Sequence, residues 1–301
     1  MKKSVLKDIS EIKSWEYLPD TDTLSQYFKQ NDLIELSKVC KNYRTHLKSK
    51  VLKKISINTR VIKLLNIRSQ HKKYEYESII NSLRLDFDQS FNLIRHVIIK
   101  ISFSNEYICE FLALFPKVSN IKIISHLRYG FNNLITALHN SKHLEHVILS
   151  PKFATFNSKL DNTYFSFFYR LKSINIECYS SMKSEKLPID VINSSFNNLE
   201  RLTVVNDSML SKLSIGAPSL LYVDFFQKFY FNMTELNHFF SNNLQLKQIT
   251  ISSNNLDDNV VNSMLALRNL YKLEIKCYGY RVDTLNICTE NFSIKHFIYD
   301  G

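Results

Sequence analysis

The sequence predicts an α/β protein in which a small N-terminal helical bundle precedes a solenoid, with parallel strands on one face and helices on the other. Three observations lead to this prediction. An apolar hexad returns about every 25 residues, segments with helical apolar spacing separate the hexads, and the first 73 residues differ in charge from the rest.

The composition favours a globular chain and excludes several classes of site. Of the 301 residues, 45% are hydrophobic, which is ample for a packed interior. The four glycines are far apart, which excludes phosphate-binding loops, and neither His-Glu-x-x-His nor Gly-x-Ser-x-Gly occurs. The five cysteines are scattered and form no Cys-x-x-Cys pair, which argues against a disulfide framework or a zinc site. We therefore predict a protein that is not an enzyme and holds no cofactor or metal.

The N-terminus carries basic residues but no apolar run, and no stretch approaches the ~18 apolar residues of a membrane span. The sequence therefore predicts a protein of the cytosol or nucleus, without a membrane partner.

Positive charge is concentrated at the N-terminal end. Residues 1–73 hold 17 Lys and Arg against 7 Asp and Glu, whereas residues 74–301 hold 22 against 21. A stretch without any acidic residue, 38–73, contains twelve of these basic side chains. Three interpretations stay open: a solvated face, an acidic protein partner, or a nucleic acid. Nucleic acid is the least favoured, since no helix-turn-helix, zinc-finger or aromatic RNA-binding motif accompanies the charge.

The stretch "DLIELSKVCKNYRTHL" (32–47) has the features of a helix. Asp32 and Glu35 form an Asp-x-x-Glu capping box, and apolar residues follow at helical spacing. A Leu-Pro pair and a short apolar helix precede it, and the segment 52–57 is a possible first hexad. The predicted organisation is a helical bundle at 10–57, a connecting segment or irregular first repeats at 58–89, and about nine divergent repeats at 90–301.

The repeat follows the pattern L-x-x-L-x-L, with Ile, Val or Phe as substitutes. The hexads occupy 94–99, 118–123, 144–149, 171–176, 199–204, 220–225, 246–251, 270–275 and 294–299. Segments of helical spacing lie between them, at 106–115, 131–140, 189–196, 233–240 and 259–268. A unit of this size cannot bury its apolar face alone, so successive units must stack around one shared core.

The strand positions that alternate with the buried anchors are candidates for binding a partner, because they point to the opposite face. These exposed candidates are Asn175, Thr203, Asp224, Thr250 and Glu274, with Arg201, Tyr222 and Lys272 nearby. The final hexad continues directly into Asp300 and Gly301 without a polar cap, which predicts an exposed last strand or a truncated gene model.

The repeat region resembles the leucine-rich-repeat family over about residues 90 to 301. One repeat, "LKQITISSNNL", has a residue of the consensus type at every position, with Asn254 at the asparagine site. The other repeats keep only the hexad. The resemblance implies a curved solenoid.

The N-terminal segment resembles the F-box motif. Asp32-Leu33, Leu36-Ser37, Val39-Cys40-Lys41 and Arg44 match it in register, and Tyr43 replaces the usual Trp. Leu18-Pro19 lies about two residues too close to Asp32, so the first helix must be shorter than usual. The resemblance implies docking onto the Skp-type adaptor of an SCF-type (cullin-RING) ubiquitin ligase. It implies adaptor-binding roles, divided between bundle interior and interface, for Leu18, Pro19, Leu24, Tyr27, Phe28, Leu33, Val39 and Tyr43, whereas Leu36, Cys40 and Leu47 are expected in the core.

By this resemblance, we expect the substrate-recognition subunit of such a ligase, in which the bundle binds the adaptor and the repeats bind a client protein. The alternative is a leucine-rich-repeat scaffold or sensor that binds protein or nucleic acid without any ligase.

Overall fold

The computed structural model describes residues 21–58, 72–101, 105–124, 128–150, 152–155, 165–176, 191–226, 229–277 and 285–300. The chain divides into two compact units, Met1–Lys54 and Ile55–Gly301. The domain limits expected at residues 57 and 90 stay a prediction.

The first unit contains a bundle of three short helices. They are α1 (Thr21–Tyr27), α2 (Gln30–Val39) and α3 (Lys41–Val51). Its buried core consists of Leu33, Tyr43 and Leu47, and Leu36, Cys40 and Val51 pack against it while partly exposed. Such a core is small, so it leaves much of each helix surface open to solvent.

The single helix predicted over 32–47 is wrong, because Cys40 interrupts it. Cys40 has an extended backbone (φ −152°), and its sulfur accepts the backbone N–H of Tyr43 at 3.5 Å, which caps α3. The predicted helix start is also displaced, since α2 begins at Gln30. Asp32 there accepts the backbone N–H of Lys29 at 3.0 Å, and Glu35 forms an ion pair with Lys38 instead of completing a capping box.

The second unit has the architecture of a repeat solenoid, built on one long parallel sheet. Its strands are β1 (Lys54–Ile57), β2 (His96–Ile99), β3 (Asn120–Ile123), β5 (His146–Leu149), β7 (Ser173–Ile176), β8 (Arg201–Val204), β9 (Tyr222–Phe225), β10 (Gln248–Ser252), β11 (Lys272–Lys276) and β12 (His296–Asp300). They lie in the sheet in that order, so each strand is the neighbour of the next strand of this sheet along the chain. Two further short strands, β4 (Arg128–Gly130) and β6 (Lys152–Thr155), pair in parallel as a separate small sheet.

Helices connect most of these strands. They are α4 (Lys72–Phe87), α5 (Asn105–Ala113), α6 (Phe131–His139), α7 (Phe165–Arg170), α8 (Asp207–Leu213), α9 (Met233–Asn242) and α10 (Asp258–Leu265). Short 3-10 segments occur at Asp88–Leu93 and Ser253–Asn255. The alternation of strand and helix, with successive strands adjacent and parallel, is the architecture that the repeat spacing predicts.

The hexads explain where the strands begin. Every strand of the long sheet starts at the third residue of its hexad, including β1, which starts at the third residue of the segment 52–57. In the hexad of β10, the anchors Leu246, Ile249 and Ile251 are completely buried. One continuous hydrophobic cluster extends from Ile57 to Leu273. Burial of each such side chain contributes about 1.5 to 3 kcal/mol before the cost of chain entropy.

One predicted helix is absent. The sequence predicts a helix over 189–196, but the described part from Val191 onward has no α-helical turn. The side chain of Asn193 accepts hydrogen bonds from both the backbone N–H and the hydroxyl of Ser195. This local turn competes with helix formation, while Ile192 and Phe196 still reach the core.

Buried asparagines connect consecutive repeats, but at positions other than the consensus one. Asn254, the predicted site, is half-buried, whereas Asn255 is fully buried. Asn255 accepts the backbone N–H of Phe231 at 2.8 Å and donates to the carbonyl of Phe229 at 2.9 Å. Asn243 acts similarly, accepting from Ala217 and donating to Leu213. The asparagine that connects these two repeats therefore stands one position after the consensus asparagine.

Candidate functional site

Two surfaces carry the residues that the sequence singles out. The strand-face cluster consists of Arg201, Thr203, Tyr222, Asp224, Thr250, Lys272, Glu274 and Lys276, on β8 to β11. The bundle surface consists of Tyr27, Phe28 and Val39, together with the exposed basic residues of α3.

The parallel register places the strand-face cluster in two rows. Thr203 lies beside Asp224, which lies beside Thr250, which lies beside Glu274. In the preceding row, Arg201 lies beside Tyr222. Neighbouring strands are about 4.8 Å apart, so these side chains are within reach of one another. The repeat spacing therefore brings together residues that are 73 positions apart along the chain, from Arg201 to Glu274.

Asp224 lies at the centre of the cluster and is half-buried. Burial removes water from its carboxylate and raises its pKa above the usual value. The hydroxyl of Thr250 donates a hydrogen bond to this carboxylate, and the charge of Arg201 also favours the ionised form, but neither outweighs the desolvation.

Glu274 has the opposite environment. Lys272 and Lys276 approach its carboxylate at 3.1 Å and 3.5 Å. Partial burial opposes ionisation, but the hydrogen bonds and charges of the two lysines outweigh it and lower the pKa of Glu274. Lys276 was not among the predicted residues. It could have been found, because it stands two positions after Glu274 on the same face of the strand.

The guanidinium of Arg201 lies over the ring of Tyr222, 4.6 Å from its centroid. Such a contact contributes about 0.5 to 1 kcal/mol at an exposed site and restricts the orientation of the arginine. The cluster thus presents cations and carboxylates whose positions are fixed by neighbours on adjacent strands.

The prediction that these positions are exposed is wrong for Thr203 and Thr250, which are both 5% exposed. A short side chain in this row is covered by the longer side chains of the adjacent strands. The Thr203 hydroxyl has no hydrogen-bond partner among the described residues. Asn175 is half-buried on β7 and pairs in register with Ile148 of β5. The described pairs between β7 and β8 are Ser173 with Arg201 and Ile174 with Leu202, and they do not include Asn175.

On the bundle, the structure separates interior residues from exposed ones. Leu33 and Tyr43 belong to the buried core, which places them on the interior side of the division that the resemblance implies. Tyr27, Val39 and Phe28 are 83%, 62% and 41% exposed. Leu18, Pro19 and the side chain of Leu24 lie outside the described residues.

Basic residues accompany these exposed apolar side chains. Helix α3 contains no acidic residue, and Lys41, Arg44 and Lys48 are exposed on it. Burial also raises the pKa of Tyr43 in the same helix, with a further contribution from Cys40. The bundle surface therefore combines large exposed apolar groups with positive charge.

Within the described ranges, no three His, Cys, Asp or Glu side chains are grouped so that they could hold a metal ion. None of the helices in those ranges is long and apolar enough to cross a membrane.

Comparisons with known proteins give limited information. No protein-family model matches the sequence, and no curated protein matches it. Among solved structures, the chain is similar to one described as the crystal structure of Rad7 and Elc1 complex in yeast. That match has a TM-score of 0.39 and 11% sequence identity, and it covers 93% of this chain and 98% of that chain.

Proposed function

We propose that this chain is a non-catalytic receptor that recruits a client protein to an SCF-type ubiquitin ligase. The bundle binds the Skp-type adaptor, and the strand face of the solenoid binds the client. The single observation that carries this proposal is the bundle surface, where large apolar side chains are exposed at the positions that resemble the F-box motif.

Tyr27, Phe28 and Val39 expose apolar surface to water, which is unfavourable, and the core of the bundle does not bury it. Burying each of these side chains against a partner contributes about 1.5 to 3 kcal/mol, enough for one of them to decide whether a complex forms. Phe28 lies two residues before the start of α2 and Val39 is its last residue, and a helix of this length is about 15 Å long. An interface that covers both would therefore span the whole helix.

The exposed cations of α3 favour an acidic partner. Charges of this kind increase the association rate and its dependence on salt more than they increase affinity. Charge reversal at Lys41 and Arg44 should therefore slow binding of the adaptor, with a smaller effect on its dissociation.

For the client, the strand-face cluster supports binding of a polar segment of protein. Arg201 is exposed and held against Tyr222, so it can donate to a carboxylate with little loss of side-chain entropy. The half-buried carboxylate of Asp224 can accept a hydrogen bond from a donor of the client. We propose these residues as the centre of the client site, with Lys272 and Glu274 at its border.

The decisive experiment measures binding of the full chain to a purified Skp-type adaptor by calorimetry. Val39→Asp places a charge on an exposed apolar site and should weaken binding about tenfold or more. Tyr230→Asp is the matched control, because Tyr230 is 65% exposed on the solenoid and should leave binding unchanged. Leu33→Asp is unsuitable as an interface test, since Leu33 is buried and the change would unfold the bundle.

Failure of the unmodified chain to bind the adaptor would overturn the ligase proposal. In that case, nucleic acid binding that weakens steeply with salt would support the alternative, a repeat scaffold without a ligase.

A further inference from the structure

The last strand differs from the other strands of the sheet in its burial. The core positions of β10, Ile249 and Ile251, are completely buried, whereas the corresponding residues of β12, Phe297 and Tyr299, are 60% and 57% exposed. Ile298, which points to the opposite face, is also exposed. Of the two predicted alternatives, the first describes β12 as the structure shows it, an apolar strand in contact with water, and the second, a truncated gene model, stays a prediction.

The outer edge of β12 pairs with no strand in the described part of the chain. The backbone N–H of His296 donates to Tyr271, and the carbonyl of Asp300 accepts from Cys277. Groups on alternate residues of a strand point to opposite edges, so the N–H and C=O of His296, Ile298 and Asp300 face β11. Those of Phe297 and Tyr299 therefore point outward.

We propose that β12 is the interface of a homodimer, in which it pairs antiparallel with β12 of a second copy about a two-fold axis at Ile298. An antiparallel hydrogen-bonded pair exchanges both N–H···O bonds, and it can form only between residues whose groups point outward. Centring the axis on Ile298 places Phe297 opposite the partner's Tyr299. The backbone N–H and C=O of both residues point away from β11, toward the other copy. A register displaced by one residue would place a residue whose backbone N–H and C=O point outward opposite one whose N–H and C=O face β11. Such a pair makes no hydrogen bonds between the two copies.

The side chains in this register are complementary. Phe297 faces an aromatic ring, Ile298 faces its own copy, and His296 faces the carboxylate of the partner's Asp300. Aromatic side chains that face each other on paired strands stabilise the pairing, and a histidine can donate a hydrogen bond to a facing carboxylate. A second copy of this chain is therefore the occupant that the edge fits, because the sequence "HFIYD" is complementary to itself when reversed.

Analytical ultracentrifugation of the full chain tests the dimer. A five-residue strand gives a small interface, so we expect the mass to rise from 35.4 kDa toward twice that value between about 1 and 100 µM. Ile298→Asp should keep the chain monomeric over this range, because two carboxylates would meet on the axis. Ile298→Lys should do the same, and an equimolar mixture of the two variants should restore the dimer.

Cross-linking tests the register. Residues opposite each other in a non-hydrogen-bonded antiparallel pair have Cα atoms about 4.5 Å apart, a distance that a disulfide can span. Ile298→Cys should therefore form a disulfide-linked dimer under mild oxidation. His296→Cys is the matched control on the same strand and face, since its two copies would be about 13 Å apart. The unmodified chain, which has its own cysteines, sets the background.

Three results would overturn the proposal: a monomer at every concentration, a dimer unaffected by Ile298→Asp, or equal cross-linking of the two cysteine variants. The adaptor plays no part in these measurements, so they do not depend on the ligase proposal.

Discussion

The two units of the chain differ in how their apolar residues are used. In the solenoid, one hydrophobic cluster continues from Ile57 to Leu273, so each repeat contributes to a core that its neighbours share. Among the described residues, the bundle buries Leu33, Tyr43 and Leu47 and leaves Tyr27 and Val39 largely exposed. The difference supports the proposal that the bundle contacts another molecule, whereas the solenoid buries most of its apolar residues in a shared core.

The largest expected effect is on the core of the solenoid. Phe225 is 1% exposed and contacts the rings of Phe231, Phe239 and Phe240. Phe225→Ala should lower the free energy of unfolding by about 3 to 5 kcal/mol, because it removes these contacts and leaves a cavity. Urea unfolding measures this loss. The control Tyr230→Ala, at an exposed position, should change the free energy by less than about 0.5 kcal/mol, and an equal loss there would contradict the contrast between core and surface.

A similar change in the bundle should act locally. Leu47 is completely buried, but its cluster is small. Leu47→Ala should destabilise the bundle by about 2 to 5 kcal/mol, which is enough to unfold a unit of this size. Hydrogen exchange should then show loss of protection in α2 and α3, while the strands β8 to β11 keep theirs. Loss of protection in those strands as well would show that the two units do not have separate stabilities.

A smaller effect is expected at the buried asparagines. Asn255→Ala removes hydrogen bonds to Phe229 and Phe231 and leaves their backbone groups without a partner in a buried turn. The expected cost is about 1 to 3 kcal/mol in urea unfolding. Asn254→Ala, at the neighbouring half-buried position, should cost less. A larger loss of unfolding free energy for Asn254→Ala than for Asn255→Ala would show that Asn254, and not Asn255, stabilises the turn.

Much of the fold could be predicted from the sequence, because the hexads specify both where a strand begins and which side chains it buries. The break at Cys40 could not be predicted in this way. The apolar spacing continues through Cys40 as it would in one helix, and only the backbone conformation and the thiol cap separate α2 from α3. Asn255 was missed for a related reason, since the consensus counts positions along the chain and cannot show a 3-10 segment that rotates the next side chain inward.

The strand-face cluster was predicted less completely than the fold. Alternation along a strand indicates which side chains share a face, and it correctly places Asp224 and Glu274 on one row. It does not indicate how far each side chain reaches, which depends on neighbours one strand away. Thr203 and Thr250 are buried for this reason, and the pKa values of Asp224 and Glu274 shift in opposite directions although both are acids in the same row.

The most direct test of the central claim is a hydrogen-exchange comparison of the full chain with and without the Skp-type adaptor. The account predicts that the adaptor slows exchange in α1 and α2, around Phe28 and Val39, and leaves β8 to β11 unchanged. Protection confined to the sheet, or none in either unit at saturating adaptor, would contradict the assignment of the bundle as the recruiting surface.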